Sequence, residues 1–297
     1  MRSADGPREP ERQTLCAGGV VKKLTALIGF PVSHSLSPAI HSYWIAQHGI
    51  DAEYKLLTTA PNRLRQTMLH MRRKEALGLN ITVPHKQAVM EHIDVLDKSA
   101  KRIGAVNTIV NRKGTLEGHN TDAYGFIANV RGALGDSASC LEKVVVLGAG
   151  GATRAAIVAL ADAGAKHILL TNRTTDKAVA LANEFHVDVV PWEERAAALA
   201  GASLLVNTTS LGMEGQPPLE MDLTVLPDHA VVHDIVYAPL ETDLLKKARL
   251  RGHTTVDGLG MLLYQAQAAF ELWHGVRPEV TPELRAHVLT HLVERVA

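Results

Sequence analysis

The feature that most constrains this chain is an apolar run, Lys143 to Leu147, that leads directly into Gly148-Ala149-Gly150-Gly151 and then into a helical stretch, Ala152 to Ala163, stopped by Gly164. Backbone N–H groups at such a helix start face outward and favour a phosphate, while glycines let the phosphate approach the chain closely. The fit to G-x-G-x-x-G is incomplete: the third glycine position is Thr153, with Ala152, Ala155 and Ala156 supplying the small residues needed where helix packs on strand. Downstream the alternation continues through strands at His167–Thr171, Leu204–Asn207 and Val231–Val236, a helix at Asp243–Arg251 and a short strand at Thr254–Val256. That is the pattern of a doubly wound α/β unit.

A first α/β unit precedes it. Strands are expected over Leu24–Phe30, Glu53–Leu57, Gly78–Val83 and Ala105–Asn111, with helices over Pro38–His48, Asn62–Arg73 and Lys86–Leu96, giving a mostly parallel sheet. Ser37 is read as the N-cap of the first helix, Pro38 as its first residue and Gly49 as its stop. The second unit opens after Asp122 with a helix over Tyr124–Leu134 and a polar connection over Gly135–Leu141. Long helices, Met261–Trp273 and one entered through Thr281-Pro282-Glu283, close the chain. With 297 residues, 46% of them apolar, there is material for two cores.

Charge excludes several partners. Lys plus Arg and Asp plus Glu number 31 each, so the chain as a whole carries no footprint for nucleic acid or an anionic membrane. No apolar run reaches the length of a membrane span. The two cysteines, Cys16 and Cys140, form no C-x-x-C pair and fit reduced thiols, so a cytoplasmic protein is expected. Met1 to Gly19 is polar, and residues 1–22 are expected to form a disordered extension. Fifteen histidines show no metal-ligand spacing, His229 and His233 included, and no metal is expected. Trp44, Trp192 and Trp273 read as core or interface anchors, not as platforms on which bases stack. A monomer or a homodimer is expected.

The end of the second strand of the later unit selects the cofactor. Dinucleotide enzymes that use NAD usually place a carboxylate there for the ribose 2′-hydroxyl. Here the strand ends Leu170-Thr171-Asn172-Arg173-Thr174, with Lys177 one turn on. A planar guanidinium, a hydroxyl and a second cation suit the 2′-phosphate of NADP. Hydride transfer to a ketone leaves charge on oxygen and needs a proton donor. Lys86, following Asn80-Ile81-Thr82-Val83-Pro84-His85, is read at a helix entry, where a cation runs against the helix dipole. Asp122, closing Asn120-Thr121-Asp122, falls at the crevice between the units, with capping of the following helix as its alternative role.

Taken in order, the motifs make the chain resemble the shikimate dehydrogenase family from about Leu24 to the C-terminus. They are Ser33-His34-Ser35-Leu36-Ser37-Pro38, Asn80 to Lys86, Gly104-Ala105-Val106-Asn107-Thr108, Asn120 to Gly125, Gly148 to Ala152, Asn172-Arg173-Thr174, Asn207-Thr208-Thr209, Asp234-Ile235-Val236-Tyr237 and Gly258-Leu259-Gly260-Met261-Leu262. The resemblance implies NADP-dependent reduction of 3-dehydroshikimate to shikimate, with Lys86 and Asp122 as the catalytic pair. It implies that Ser35 and Ser37 bind the substrate carboxylate and that Asn80, Thr82, Asn107 and Gln265 hold the ring hydroxyls, with Tyr237 nearby. Gly148, Gly150, Gly151 and Ala152 would take the pyrophosphate. Asn172, Arg173, Thr174 and Lys177 would surround the 2′-phosphorylated ribose, and Met213 and Gly260 would line the nicotinamide side. The implied architecture is a substrate domain over residues 23–123, completed by residues 259–297, and a Rossmann-like NADP-binding domain over residues 124–258.

Overall fold

The computed structural model describes residues 22–73, 76–134 and 141–296. The extension expected over residues 1–22 lies outside them apart from Lys22, as do both cysteines and all of the 135–141 connection except Leu141. The described chain folds into two six-stranded sheets.

The first sheet holds β1 (Lys23–Gly29), β2 (Ala52–Thr58), β3 (Gly78–Ile81), β4 (Val95–Leu96), β5 (Thr108–Arg112) and β6 (Thr115–His119), in the spatial order β2-β1-β3-β5-β6-β4. Helices α1 (Ser37–Gln47), α2 (Leu64–Arg73) and α3 (Lys98–Ile103) connect its strands. β1 runs parallel to β2 and β3, whereas β5 is antiparallel to both β3 and β6. The β5–β6 hairpin departs from the sequence reading. Its turn is Lys113-Gly114, with both residues at positive φ (54° and 96°), the backbone that a two-residue hairpin turn requires. Gly114 meets that need at no cost, and its N–H donates to Asn111 Oδ1 at 2.7 Å.

The second sheet is parallel throughout. It comprises β7 (Lys143–Leu147), β8 (His167–Thr171), β9 (Asp188–Val189), β10 (Leu204–Asn207), β11 (Val231–Asp234) and β12 (Thr254–Val256), in the order β12-β11-β10-β7-β8-β9. Counted within the sheet this is the doubly wound order, and the direction of strand addition reverses between β7 and β10. Val144 to Leu147 are fully buried, as a strand covered on both faces demands. Helices α4 (Asp122–Leu134), α5 (Gly151–Asp162), α6 (Thr175–Phe185) and α7 (Asp243–Leu250) belong with it. Among the described residues no helix is long and apolar enough to cross a membrane.

Helix α8 (Gly258–His274) returns to the first sheet, where Trp273 Nε1 donates to Ile109 O at 2.9 Å. It packs with α1 and α9 (Pro282–Val296) around Trp44, Phe270, Leu263 and Leu284. It also crosses α4 at backbone contact: a β-carbon on Gly125 would stand 2.7 Å from Met261 O and 2.8 Å from Gln265 N. Glycine inside a helix costs roughly 0.5–1 kcal/mol against alanine, but here only glycine fits.

The cores bury ionisable groups whose protonation follows from burial. His41 stacks flat on Tyr54, with ring centroids 4.2 Å apart; burial, helped by the neighbouring charge of His274, pushes it down to about 3. Burial pushes His233 down to about 4, and it raises the carboxyl of Asp234 to about 6 against three hydrogen bonds, from Val236 N–H, Thr242 Oγ1 and Asn207 Nδ2. Both histidines therefore fold neutral. Between pH 6 and 4 the unfolded chain binds two more protons at these histidines, while the folded chain holds one more at Asp234. The net uptake on unfolding at these three groups is about one proton, so stability should fall on acidification, by on the order of 1 kcal/mol per pH unit. Half-buried His274, lowered to about 4, acts in the same direction. Urea melts at pH 6.0, 5.0 and 4.5 check this, and a flat or rising stability on acidification would contradict neutral burial of these rings.

Candidate active site

The polar centre of the molecule lies where the first sheet hands over to α4. Asp122 is the first residue of that helix, and both of its carboxylate oxygens accept from side chains. Oδ2 accepts from Lys86 Nζ at 2.6 Å and Oδ1 accepts from Asn107 Nδ2 at 2.9 Å. The two charged side chains are 18% and 7% exposed, a pair largely withdrawn from water. Such a pair persists only when the remaining lone pairs and protons are satisfied. The supporting loop is itself fixed: Asp122 N–H donates to Asn120 Oδ1, and Asn120 Nδ2 to Ala105 O.

Lys86 is not at a helix entry. Only a single 3₁₀ stretch, Ala88–His92, follows it, and β4 then occupies part of the expected helix. Tertiary bonds override the local helical pattern: the Lys86 carbonyl accepts from Val106 N–H at 2.7 Å, and His85 Nε2 donates to Thr59 O at 2.6 Å. The lysine is held by the sheet, and the helix-dipole argument for it does not apply.

Asn107 organises the neighbourhood. Its Oδ1 accepts from Thr121 N–H at 2.8 Å and from Thr108 Oγ1 at 3.0 Å. Strand register puts Thr108 directly opposite Asn80, whose Nδ2 donates to Thr108 Oγ1 and to Asn107 O, both at 3.2 Å. Buried Tyr54 donates to Asn80 Oδ1 at 2.8 Å. Burial pushes its phenol well above the usual range, so it stays a donor. Gln265 Oε1 lies 3.5 Å from Asn107 Nδ2, brought there by the α4–α8 crossing. Asp122 and Gly125 are three residues apart on one helix face, so the helix that touches one overhangs the other.

Ser35 and Ser37 sit together, Oγ to Oγ 3.1 Å. Ser37 is the first residue of α1, and Leu36 occupies the cap position without a side-chain bond. Ser35, one residue before the cap position, makes a local serine turn instead, its Oγ accepting from Ser37 N–H at 3.2 Å. Thr82 stands just beyond β3, and Tyr237 packs against the cluster that includes Leu36, Ile40 and Leu259. Tyr54, Thr108 and Thr121 are network members that sequence reasoning did not assign. Thr121 lies inside a recognised motif, but Tyr54 is placed only by register.

The second half of the site is a cleft of about 330 Å³ at the C-terminal ends of β7 and β10, where a doubly wound sheet collects ligands. Six of the residues singled out in the sequence, Gly148, Gly150, Asn172, Arg173, Thr174 and Lys177, line it together. Gly148 has φ +117°, and a β-carbon there would stand 2.6 Å from Thr208 Oγ1. Thr153, in place of the third glycine, has a structural reason. Its Oγ1 accepts from Gly150 N–H at 3.0 Å and lies 2.7 Å from Thr208 Oγ1, which donates to Leu147 O at 2.7 Å. Since Thr208 spends its proton on Leu147, Thr153 is the donor between them, and the three bonds tie the glycine turn to β10. At the end of β8, Arg173 and Lys177 are exposed and make no ion pair among the described residues. The Thr174 hydroxyl makes no cap bond to α6. Two cations and a hydroxyl in one corner suit a dianionic phosphate.

The halves meet. Lys86 Cδ lies 3.7 Å from where a β-carbon on Gly151, the first residue of α5, would stand. Ala152 follows in the same first turn. Four expected residues, Gly151, Ala152, Met213 and Gly260, lie outside the cleft lining. Met213, 39% exposed, is in the loop after β10, and the space beside Gly260 is filled by Asn129 Oδ1, so packing of α8 on α4 accounts for that glycine. Trp192 and Thr208 to Leu211, unassigned in the sequence, do line the cleft. The polar Asn-Thr-Thr ending of β10 was the available signal for the latter. A larger open groove of about 700 Å³, between Asp97, Arg112, His119 and Glu271, contains neither Lys86 nor Asp122.

Comparison with known proteins follows the same two halves. Residues 27–109 match the shikimate dehydrogenase substrate binding domain, residues 135–213 the shikimate/quinate 5-dehydrogenase family, and residues 258–282 the shikimate 5′-dehydrogenase C-terminal domain. The NADP(+) shikimate dehydrogenase of Paramagnetospirillum magneticum is 52% identical over 271 residues, covering 90% of this chain and 98% of that one. The shikimate 5-dehydrogenase of Thermus thermophilus, solved in complex with NADP(H) and shikimate, superposes with a TM-score of 0.80 at 37% identity, covering 91% and 99%. The quinate dehydrogenase of Corynebacterium glutamicum in complex with NAD gives 0.84 at 33% identity, also covering 91% and 99%.

The Thr153 donor chain yields a direct test. Thr153→Val keeps the shape but leaves Gly150 N–H and Thr208 without their partner, so unfolding free energy should drop by about 1–3 kcal/mol. Chemical denaturation measures it, and an unchanged midpoint would remove Thr153 from the support of the glycine turn.

Proposed function

The chain belongs to the shikimate dehydrogenase family, and from that membership we propose that it catalyses the reversible NADPH-dependent reduction of 3-dehydroshikimate to shikimate, the family's step toward chorismate and the aromatic amino acids. The observation that carries the proposal is the Lys86–Asp122 pair, 2.6 Å apart, with the lysine stem against the first turn of α5.

NADPH in the cleft supplies the hydride. Gly148, Gly150, Gly151 and Ala152 hold its pyrophosphate at the helix N-terminus. Asn172, Arg173, Thr174 and Lys177 take the 2′-phosphorylated ribose, and the absence of a carboxylate at that strand end favours NADP over NAD. Beyond the cleft's own lining, Met213 flanks the nicotinamide end, whereas Gly260 serves the packing of α8 on α4. On the substrate side, Ser35 and Ser37 donate to the carboxylate, while Asn80, Thr82, Asn107 and Gln265 bind ring hydroxyls beside Tyr237. A polyol carboxylate needs this density of short donors and acceptors, and an analogue lacking one hydroxyl leaves a buried group unpaired, at a cost of about 1–3 kcal/mol.

Lys86 Nζ gives a proton to the carbonyl oxygen as that carbon is reduced; in the oxidative direction it takes the proton back. Asp122 orients the lysine through Oδ2 and accepts from the reacting hydroxyl. Asn107 holds the carboxylate from its other side, at 2.9 Å.

Two measurements test this reading. Lys86→Ala should lower kcat by roughly 10²–10⁴-fold, the range for loss of a general acid–base, with a much smaller change in the KM for shikimate. A variant turning over at near wild-type rate would remove Lys86 from the chemistry. Arg173→Ala should raise the KM for NADP⁺ by about tenfold or more, as expected for a charge-assisted bond, and leave that for NAD⁺ unchanged. An equal effect on both cofactors would place Arg173 elsewhere than the 2′-phosphate.

A further inference from the structure

Trp192 is the one tryptophan that is not a core anchor. Trp44 and Trp273 are buried, at 0% and 5% exposure, whereas Trp192 is half-buried and lines the same cleft as Arg173, Thr174 and Lys177. It follows Pro191 just past the C-terminal end of β9, and β9 pairs with β8 in parallel, Leu170 opposite Val189. The indole thus stands one strand further from the glycine turn than Arg173 does. A dinucleotide laid across this edge runs in the same order. Its pyrophosphate is at β7, its 2′-phosphorylated ribose at the end of β8, and the base carried by that ribose reaches the end of β9.

The ring is set in place before any ligand arrives. The Arg195 guanidinium lies over one face of Trp192, 4.6 Å from its centroid, and is itself pinned by Nη1 donating to Trp192 O at 2.8 Å and Nη2 to Glu220 O at 3.1 Å. Trp192 also packs against the apolar cluster beneath β10 and β11. One face carries the guanidinium, so a ligand in the cleft meets the part of the ring that lines it. From this geometry we infer that Trp192 is the stacking surface for the adenine of the dinucleotide, a binding residue not assigned by the sequence motifs. Stacking on a π-face adds affinity without discriminating NADP from NAD. Discrimination stays with Arg173 and Lys177. This inference rests on the dinucleotide reading of the cleft and not on the identity of the reduced substrate.

The test uses adenosine 2′,5′-bisphosphate, which carries the base and the 2′-phosphate but no nicotinamide. Bound to the intact protein, it should quench Trp192 emission. In Trp192→Phe the quench should vanish, since Trp44 and Trp273 lie buried elsewhere, while affinity stays within a few-fold of wild type. In Trp192→Ala the Kd should rise about tenfold or more, with the KM for shikimate unchanged. A Trp192→Ala variant that folds and binds the bisphosphate as tightly as wild type, or a quench that survives in Trp192→Phe, overturns the inference, as does wild-type protein that fails to bind the probe. Loss of shikimate turnover with probe binding and quench intact would instead overturn the substrate assignment and leave Trp192 in place.

Discussion

The structure depends on one costly contact, an ion pair between Lys86 and Asp122 placed where water has little access. Withdrawing two charges from water costs several kcal/mol per ion, and their attraction alone seldom offsets that. The surroundings supply the difference. Asn107 donates to the free carboxylate oxygen, Asn120 fixes the loop, and Thr121, Thr108, Asn80 and Tyr54 extend the network across three strands. Well-packed hydrophobic residues in place of a buried ion pair are often as stabilising or more so. Retaining the charged pair makes sense if a proton has to be moved there, which is the role proposed for it.

Much of the remaining architecture serves to bring that pair to the cleft beside the glycine turn. Asp122 opens α4, and α4 leads into the second sheet, so the residue that ends one unit starts the other. The glycine at 125 lets α8 lie on α4 at backbone distance, which carries Gln265 from the far end of the chain to Asn107. On the other side Arg154, from α5, donates to Ile103 O at the end of α3, and Arg102 pairs with Asp162 at 2.5 Å. These contacts join the glycine-turn helix to the segment preceding Asn107. The result is a lysine stem lying against the first turn of α5.

The fold was legible where local pattern and tertiary demand agree. The apolar run before the glycine turn, the helix after it and the strand ending at Thr171 are each specified by their own residues, and so the elements that frame the cleft were legible. Legibility failed where distant contacts set the local structure. Lys86 sits in a segment patterned like a helix that is instead bonded to Val106 and Thr59. Ser37 carries a cap residue's identity but lies one position inside the helix, because Ser35 reaches its N–H first. Lys113-Gly114 forms a hairpin without the Asn or Asp that usually marks one. Tyr54 joins the Asn80–Asn107 network through strand register, which a single sequence does not express, and Trp192 shows its place at the cleft only once β9 is paired with β8.

The most direct measurement of the central claim follows nicotinamide absorbance with purified protein, offering shikimate or quinate with NADP⁺ or NAD⁺ in the four combinations. Rapid turnover is expected with shikimate and NADP⁺, and far slower turnover in the other three. Comparable rates with quinate or with NAD⁺ would contradict the selectivity assigned to this site, and no turnover in any combination would contradict the role given to Lys86 and Asp122.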